Sequence, residues 1–539
     1  MRLSSLRIGA FKNLRDLYVE FDTSSPYTVL VGENGSGKSN LVEAIALIFR
    51  NLDLELPAPF TYELSYSCRE FEVQVSAENG KSAVAKARQR GQGEFKRISK
   101  KTFLSEDDEG RPLYRPAFVF GYYSGPSDRL AELFEKHQER FYNRIIKDVS
   151  STAGRGLRDA NSLRRLFYAQ NLHGQFALLA FFMENDAVAD EDRAFLREHL
   201  QIDGLDSVLF ALREPTWQRA KGGDPRFWHA EGEVKDFLGR LYDAALLPMR
   251  MPRRIQADLT KNPPVDSLYL FLPTQDALTQ VFQTYPDQYS FFTALESTHL
   301  SKLLGEVRTR VRLTPAAGGG EVTYRDLSEG EQQLLLVLGL LKFTARDEAL
   351  FLLDEPDTHL NPIWSTQYLS FLDRFIRLRN RGDSCHILMS SHDPLVLAGL
   401  DRPQVRIFTR GPSGTASVEV PDEDPRGMGV AAILTSDLFR LRSTLDPETQ
   451  DELDRQRILS MKDLTDEERN ELEAINNNLN GKGFSRTIRD PLYQLFVKAW
   501  TDQEDPSWRE RIELTPEQIR EREELSASII RQLQAEGEI

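Results

Sequence analysis

The residues GENGSGKS, at Gly32–Ser39, follow the pattern G-x-x-x-x-G-K-S/T. A loop of this kind can bind phosphate, because glycines let backbone N–H groups close around phosphate oxygens and a helix N-terminus adds positive potential. The loop follows an apolar strand and opens a helix, which is the context that the pattern requires. Lys38 is expected to reach the terminal phosphates of a nucleotide, and Ser39 to ligate Mg²⁺. The predicted nucleotide-binding residues are Gly32, Glu33, Asn34, Gly35, Ser36, Gly37, Lys38, Ser39 and Asn40.

Two carboxylates end the apolar strand ALFLLDEP, at Asp354 and Glu355. Buried carboxylates are costly unless they meet a cation or a reacting group. Asp354 therefore suits the Mg²⁺ shell together with Ser39, and Glu355 suits a general base that orients an attacking water. His392 ends the apolar strand ILMSSH one helix later, where a sensor of the terminal phosphate would lie. Taken alone, the two acids could simply be a solvated strand end, and His392 could be structural. Because the same chain carries the phosphate-binding loop, we predict that Glu355 and His392 are catalytic.

The stretch LSEGEQQLLLVLGLL, at residues 327–341, runs from a polar turn into an apolar helix. A serine hydroxyl, a glycine N–H and a helix N-terminus together could bind a second anionic group. Taken alone, the pattern is also that of an ordinary N-capped core helix, and nothing beside it in the chain supplies a ligand. The residues concerned are Ser328, Glu329, Gly330, Glu331 and Gln332.

Residues 81–101 carry eight Lys/Arg and one Glu. A solvated hairpin face and a contact with a nucleic-acid backbone explain this cluster equally well. Aromatic residues are sparse in it, so base-specific reading is not predicted. The candidate nucleic-acid contacts are Lys86, Arg88, Arg90, Lys96 and Arg97.

The elements that must position these residues follow from the apolar pattern. Buried apolar strands separated by helices, over residues 311–410, favour a parallel sheet. Alternating strands fill much of residues 1–101, where Asn79-Gly80 is a strong hairpin signal. Residues 130–260 are mostly of helical pattern without sustained heptads, which predicts a compact insertion and no long coiled coil.

The tail beyond residue 421 has a different composition. It carries helix-start signatures at Asp446-Pro447, at Thr465 with Glu468 and at Thr515-Pro516. Residues 446–480 hold 11 Asp/Glu and 4 Lys/Arg, which predicts a solvated helical appendage. The expected division is an N-terminal lobe at 1–130, a helical insertion at 131–262, a C-terminal lobe at 263–420 and a helical extension at 421–539.

Composition sets the remaining limits. A chain of 539 residues suggests two to four domains or one core with large insertions. Cys68 and Cys385 form no motif, which favours a reducing cytoplasm. The first residues lack the apolar region of a secretion signal, and no apolar run is long enough for a bilayer, so no membrane contact is expected. The net charge of −15 gives the whole chain no attraction for nucleic acid.

In chain order, the phosphate-binding loop, LSEGEQQ, LLDEPDTHLN and SSH resemble the motifs of ABC-type ATPases of the RecF, Rad50 and SMC class. The resemblance implies an α/β ABC-ATPase head with a mixed sheet and an antiparallel β-subdomain, which here carries a helical insertion and an α-helical C-terminal extension. It implies ATP and Mg²⁺ as cofactors. It also implies a homodimer or higher homo-oligomer, in which Ser328 and Gly330 of one protomer contact the γ-phosphate on another.

Two positions depart from that family pattern. Asn361 lies in the D-loop stretch DTHLN, where the family often has Asp, so its role between subunits stays open. No Q-loop glutamine is recognisable. The stretch FGYYSGPSDR occupies that place, and Tyr122 and Ser124 are its candidates.

The phrases FVFGYYSGPSDRL and DPRGMGVAAILTSDLFRLRSTLD look similar to ATPases of bacterial anti-phage defence, above all to the ATPase subunit of Septu systems, including retron-associated forms. That resemblance implies a separate HNH-type nuclease held by the C-terminal extension, since this chain has no HNH motif. In retron forms it implies a reverse transcriptase and its RNA–DNA product as further partners. Two alternatives stay open: a RecF-like DNA repair ATPase, and a scaffold that binds ATP, hydrolyses little of it and holds a toxin nuclease inactive.

Overall fold

The protein's structure, a computed structural model, is organised around three β-sheets and the helices that cover them. It describes residues 1–147, 164–183, 189–217, 223–254, 264–344, 348–377, 384–411, 414–462, 464–482, 484, 496, 499–500, 503–505, 508 and 514–535. Parts of the predicted C-terminal extension therefore lie outside the described residues. Within them, no helix combines the length and the apolar character needed to cross a membrane.

The central sheet has seven strands, and it supports the predicted motifs. Its strands are β3 Tyr27–Gly32, β8 Phe118–Tyr123, β9 Leu166–Tyr168, β15 Ala349–Asp354, β16 Cys385–Ser390, β17 Val405–Arg410 and β18 Ala416–Glu419. They lie in the order β18-β17-β3-β16-β15-β8-β9. All neighbours are parallel except β17 and β18, which are antiparallel. The sheet is therefore mixed, as expected.

A six-stranded antiparallel sheet contains most of the N-terminal strands. Its members are β1 Arg2–Phe11, β2 Leu14–Glu20, β4 Tyr62–Cys68, β5 Phe71–Ala77, β6 Val84–Gln89 and β7 Lys96–Ile98. The strand order is β2-β1-β4-β5-β6-β7. The predicted hairpin joins β5 to β6, which pair antiparallel. Gly80 in its turn has a φ of 76°, a left-handed conformation that glycine adopts without strain.

A five-stranded antiparallel sheet crosses the predicted helical insertion. Its strands are β10 Ile202–Arg213, β11 Met249–Arg254, β12 Pro264–Leu272, β13 Leu304–Leu313 and β14 Glu321–Thr323, in the order β11-β12-β10-β13-β14. Strands β9, β10 and β11 were not predicted within residues 131–262. Most of β10 is buried, and its short apolar run at residues 208–212 does not by itself distinguish a strand from a helix. The proposed boundary at residues 262 and 263 also separates β11 from β12, its antiparallel neighbour.

The described helices cover the sheets and form the tail. They are α1 Lys38–Leu54, α2 Lys100–Phe103, α3 Glu135–Lys147, α4 Asn171–Phe181, α5 Ala189–His199, α6 Gly232–Ala244, α7 Gln275–Phe282, α8 Gln288–Leu300, α9 Glu329–Thr344, α10 Pro362–Arg377, α11 Pro394–Leu397, α12 Val430–Thr435, α13 Pro447–Ser460, α14 Asp466–Gly481 and α15 Pro516–Ala535. The three tail signatures are confirmed, since Asp446, Thr465 and Thr515 each precede a helix and each accepts a backbone N–H bond inside it.

Two hydrophobic cores lie on the two faces of the central sheet. Val29 and Val31 of β3 point into one core, and Leu30 between them points into the other. The first core contains helices α4, α8 and α9, and the second contains α1 and the six-stranded sheet. Each fully buried aliphatic side chain of this kind contributes roughly 1.5–3 kcal/mol. A sheet fixed on both faces holds the ends of its strands rigidly.

Candidate nucleotide-binding site

The predicted motifs meet at one edge of the central sheet. Strands β3, β8, β15 and β16 are parallel, so their carboxyl ends lie side by side. In open α/β sheets this edge is where ligands bind. The phosphate-binding loop follows β3, Glu355 follows β15 and His392 follows β16. Residues that are hundreds of positions apart in the chain are thereby brought together.

The loop itself has a backbone that requires glycine at two positions. Gly32 has a φ of 135°, and a Cβ atom there would lie 2.0 Å from the carbonyl oxygen of Phe408. Gly37 has a φ of 117°, caps helix α1 and lies against Leu14 and Asn13. The helix then begins at Lys38, so its free N–H groups face the loop. This is the local geometry of a phosphate site.

Lys38 points back along the loop. Its Nζ donates to the carbonyl oxygens of Gly32, at 2.6 Å, and Glu33, at 3.0 Å. Burial lowers the pKa of Lys38 to about 8, and the nearby carboxylates of Glu355 and Asp354 offset part of that effect. A bound phosphate would give this ammonium group an anionic acceptor, which favours its charged form.

The predicted Mg²⁺ ligands Ser39 and Asp354 are in direct contact. Ser39 Oγ donates to Asp354 Oδ1 at 3.1 Å, and Ser390 Oγ donates to the same oxygen at 2.5 Å. Arg129 Nη2 lies 3.5 Å from Asp354 Oδ2. One carboxylate and one hydroxyl beside a phosphate site form the oxygen donor set that Mg²⁺ accepts. The residues therefore fit the ion. Among the described residues, no cluster of three or more His, Cys, Asp or Glu side chains offers a metal site of its own.

Glu355 and His392 lie next to each other at the strand edge. Glu355 Oε1 is 3.5 Å from His392 Nε2, and each side chain is 35% exposed, so water can reach both. Burial, followed by the charge of Asp354, raises the pKa of Glu355. Burial, followed by the charge of Lys38, lowers the pKa of His392 to about 4, so its imidazole is neutral near pH 7. A carboxylate with a raised pKa can act as a base, and a neutral imidazole can donate a hydrogen bond.

The backbone of Glu355 is unusual for a residue with a side chain. Its φ is 54°, and its N–H donates to Ser390 Oγ at 3.0 Å. Non-glycine residues held in the left-handed region cluster at functional sites. Ser390 thus fixes Asp354 through its hydroxyl hydrogen and Glu355 through its oxygen. The sequence analysis missed Ser390, although its place beside His392 in the SSH motif was a usable signal.

Gln333 is a second residue that the sequence analysis missed. It is buried on α9, and its Nε2 donates to the carbonyl oxygen of Glu355 at 3.4 Å. Its Oε1 accepts from the N–H of His359 at 3.2 Å, and its side chain lies near Tyr122, whose pKa it lowers in part against the effect of burial. Gln333 therefore connects the helix after LSEGEQ to the residues after β15. The only sequence signal for Gln333 was that it is a polar residue next to the apolar run of this helix.

The LSEGEQ turn is capped by its own residues. Ser328 Oγ accepts from the N–H of Glu331 at 3.3 Å, and Glu331 Oε2 accepts from the N–H of Ser328 at 2.7 Å. Ser328 and Glu329 are exposed, and Gln332 Nε2 donates to the carbonyl oxygen of Leu327. Gly330 is buried, because its Cα packs against the backbone of His359, where an added Cβ would lie 2.5 Å from the carbonyl oxygen. Ser328 faces outward as expected, and Gly330 does not.

The remaining loop candidates have local structural roles. Asn361 Oδ1 accepts from the N–H of Trp364 at 2.9 Å and so caps α10. Ser124 Oγ lies 3.2 Å from Thr358 Oγ1, and the N–H of Ser124 donates to the carbonyl oxygen of Asp354. Asn40 Nδ2 donates to Asn13, which in turn donates to Gly35 in the loop. Ser124 thus lies at the site edge, as a Q-loop candidate would.

The basic cluster lies on β6 and β7, at the far edge of the six-stranded sheet. Arg88 pairs with Glu72 and stacks on Phe95, and Arg90 donates to Ser67. Within the described residues, the exposed side chains of Lys86, Lys96 and Arg97 have no carboxylate at ion-pair distance. Lys86 lies directly opposite Arg97 in the ladder, where like charges repel. The five predicted nucleic-acid contacts therefore lie together on one edge of the sheet, but the charge of Arg88 is already paired with Glu72.

A comparison with known families identifies the chain. Residues 27–398, well over half of it, match the family model described as "AAA domain, putative AbiEii toxin, Type IV TA system". The chain belongs to this family. The match extends from β3 through the loop, the LSEGEQ turn and β15 to the residues after His392. The phosphate-binding loop, Asp354, Glu355 and His392 therefore all lie within the AAA domain that the family model describes.

Curated relatives match over shorter stretches. The Septu protein PtuA of Bacillus mycoides (strain KBAB4) is 28% identical over 141 residues, which cover 25% of this chain and 19% of PtuA. The DNA replication and repair protein RecF of Synechococcus sp. (strain JA-2-3B'a(2-13)) is 50% identical over 48 residues, 9% of this chain and 12% of RecF. The chain thus spans under a fifth of the length of these curated relatives.

Solved structures give a weaker likeness. The structure of the recombination mediator protein RecF with ATP in the RecFOR pathway shares 12% sequence identity. The match covers 73% of this chain and 92% of the RecF chain. Its TM-score is 0.24, which is too low for a comparison of sites.

Proposed function

We propose that the protein binds ATP at the loop Gly32–Ser39 and hydrolyses it with Glu355 as the base. One observation carries this proposal: Ser39 and Asp354 are in contact at the sheet edge where Lys38, Glu355 and His392 also lie. The loop N–H groups and Lys38 would hold the phosphates. Ser39 and Asp354 would hold Mg²⁺, which neutralises phosphate charge when it is bound.

Glu355 has the position and the protonation behaviour that the reaction needs. Its carboxylate is partly exposed and its pKa is raised, so it can accept a proton from water near neutral pH. Ser390 holds its N–H, which keeps the side chain directed out from the strand end. His392 is neutral near pH 7 and can donate from one ring nitrogen to a phosphate oxygen. Its neutrality avoids a second positive charge beside Lys38.

The biological role that we propose is control of a separate nuclease in anti-phage defence. The match to the Septu protein PtuA supports this proposal, although it covers a quarter of the chain. In this proposal two or more protomers close around ATP, and hydrolysis reopens them. An HNH-type nuclease docks on the C-terminal extension, whose helices are capped and acidic. A retron reverse transcriptase with its RNA–DNA product is a further candidate partner.

The test is a pair of substitutions at the loop and the base. Glu355→Gln should keep ATP binding and lower turnover by on the order of 10²-fold or more, because the amide cannot accept the proton. Lys38→Ala should lose ATP binding. The measurements are ATP turnover and the nucleotide retained by the protein after gel filtration. Unchanged turnover in Glu355→Gln, or unchanged retention in Lys38→Ala, would show that the site has been assigned wrongly.

The same two variants separate the alternative roles. If Glu355→Gln still protects cells against phage while Lys38→Ala does not, ATP binding suffices and the protein is a scaffold. If neither variant affects phage protection but both sensitise cells to DNA damage, the RecF-like repair role is the correct one. Loss of phage protection in both supports hydrolysis-dependent control of a nuclease.

A further inference from the structure

A cavity of about 130 Å³ lies beside the phosphate-binding loop, and the C-terminal extension contributes part of its lining. The loop contributes Gly32, Glu33 and Asn34, and the strand edge contributes His392. The opposite wall includes Phe439 and Arg440, from the segment after α12. The extension thus reaches the same site as the loop, although the family match ends at residue 398.

Among the described residues of the extension, Arg440 is the basic side chain that lines this cavity, and it is buried. The residue is 5% exposed, and its Nε has no hydrogen-bond partner. Among the described residues, no carboxylate lies within ion-pair distance of its guanidinium group. The charge of Arg440 acts on Asp437, whose pKa is raised by burial and partly lowered by Arg440. Because the buried Nε has no hydrogen-bond partner, Arg440 retains a donor for an anionic ligand.

The backbone holds Arg440 in place at a conformational cost. Its φ is 59°, in the left-handed region that side-chain-bearing residues rarely adopt. Its N–H donates to the carbonyl oxygen of Ser436 at 2.7 Å, and its own carbonyl oxygen accepts from the N–H of Leu514 at 3.1 Å. Arg440 is therefore tied both to the end of α12 and to the start of the segment that leads into α15.

We propose that Arg440 binds the terminal phosphate of ATP held by the loop of the same chain, and that it thereby couples the nucleotide to the C-terminal extension. The inference rests on the proposed ATP site. A guanidinium group has the planar donors that phosphate oxygens accept. Asn34 and His392 line the same cavity, at the end of the loop where a terminal phosphate is expected. ADP lacks that phosphate, so Arg440 would distinguish the two nucleotides.

The test compares the affinities for ATP and ADP in the full chain, measured with Mg²⁺ and a non-hydrolysable ATP analogue. Arg440→Met should weaken binding of the ATP analogue about 10-fold or more, as expected for the loss of a charge-assisted hydrogen bond, and change ADP affinity less than about 2-fold. Arg440→Lys keeps the positive charge, so its affinity for the ATP analogue should lie between those of the wild type and Arg440→Met. Arg442→Met is the matched control, because Arg442 pairs with Asp454 within the extension.

A second readout follows the extension itself. In the wild type, the ATP analogue should slow proteolysis within residues 425–535 relative to ADP, and Arg440→Met should abolish that difference. If both Arg440 variants keep the wild-type ratio of ATP to ADP affinity while Lys38→Ala loses both nucleotides, the inference is wrong and the ATP site stands. If the wild type binds neither nucleotide, the proposed function fails with it.

Discussion

Two carboxylates at the end of β15 and just after it have different surroundings. Asp354 accepts hydrogen bonds from Ser39 and Ser390 and lies 3.5 Å from Arg129. Asp357, three residues later, is 4% exposed and has one hydroxyl partner, Ser391. The same short stretch therefore contains a carboxylate suited to a cation and one suited to a proton.

Asp357 gives a prediction for stability against pH. Burial raises its pKa to about 7, and the charges of Asp393 and Glu355 act in the same direction. The folded protein therefore binds this proton at pH values where the unfolded chain has released it, so stability falls as pH rises from about 4 to about 7 and then levels off. Asp357→Asn should remove this pH-dependent loss of stability, because the amide does not titrate. At pH 8 the variant should have a free energy of unfolding higher by roughly 2–4 kcal/mol, and near pH 4 the two should agree.

The measurement is urea unfolding of both proteins across pH 4–8. Taking the difference between the two proteins cancels the groups that they share. A difference that is constant across this range would mean that Asp357 does not hold a proton in the folded state, because only a titration can produce the slope.

At the scale of elements, Gln333 joins α9 to the sheet edge. The side chain bonds two backbone groups after β15 and lies near Tyr122 at the end of β8. The LSEGEQ turn begins the same helix, so a movement of that turn acts on Glu355 and His359 through one buried amide. Coupling through a packed side chain of this kind needs a direct test.

Gln333→Met supplies that test for α9. Methionine has a similar volume, so packing is kept while the N–H of His359 and the carbonyl oxygen of Glu355 lose a partner. The free energy of unfolding should fall by about 1–3 kcal/mol. Tyr122→Phe removes the hydroxyl beside Gln333, and if the two side chains are coupled, the double variant should lose less than the sum of the two single changes. Strict additivity by denaturant unfolding would mean that the two side chains act independently.

The sequence identified elements whose ends carry distinctive chemistry. Strands β3, β15 and β16 are short apolar runs. A Gly-rich loop follows β3, Asp-Glu ends β15 and Ser-His follows β16, so the sequence of each strand alone was enough to predict it. Strand β10 has only a short apolar run, at residues 208–212, and no such ending, which explains why it was not predicted. The contacts of Gln333 and Arg440 depend on chain segments far away in sequence. No local pattern encodes them, and only the folded arrangement brings them into view.

For the whole molecule, the LSEGEQ turn is the strongest reason to expect assembly. Ser328 and Glu329 are exposed, and within the described residues their side chains make polar contacts with Glu331 and His359, not with the phosphate-binding loop. The phosphate-binding loop opens at a separate place, after β3. In the proposed dimer each turn closes on the loop of the partner, so that one protomer alone has an incomplete site. A two-fold arrangement of this kind creates two equivalent composite sites.

Mixing two inactive variants tests this arrangement. Lys38→Ala removes nucleotide binding but keeps the turn, and Ser328→Arg blocks the turn but keeps the loop. Each variant alone should have little ATPase activity. In a mixed dimer, the loop of the Ser328→Arg chain meets the intact turn of the Lys38→Ala chain, which restores one site of the two. With random pairing, half of the dimers are mixed, so an equal mixture should regain about a quarter of the wild-type turnover. A mixture as inactive as its parts, with dimers still seen by light scattering, would mean that the turn acts on its own chain.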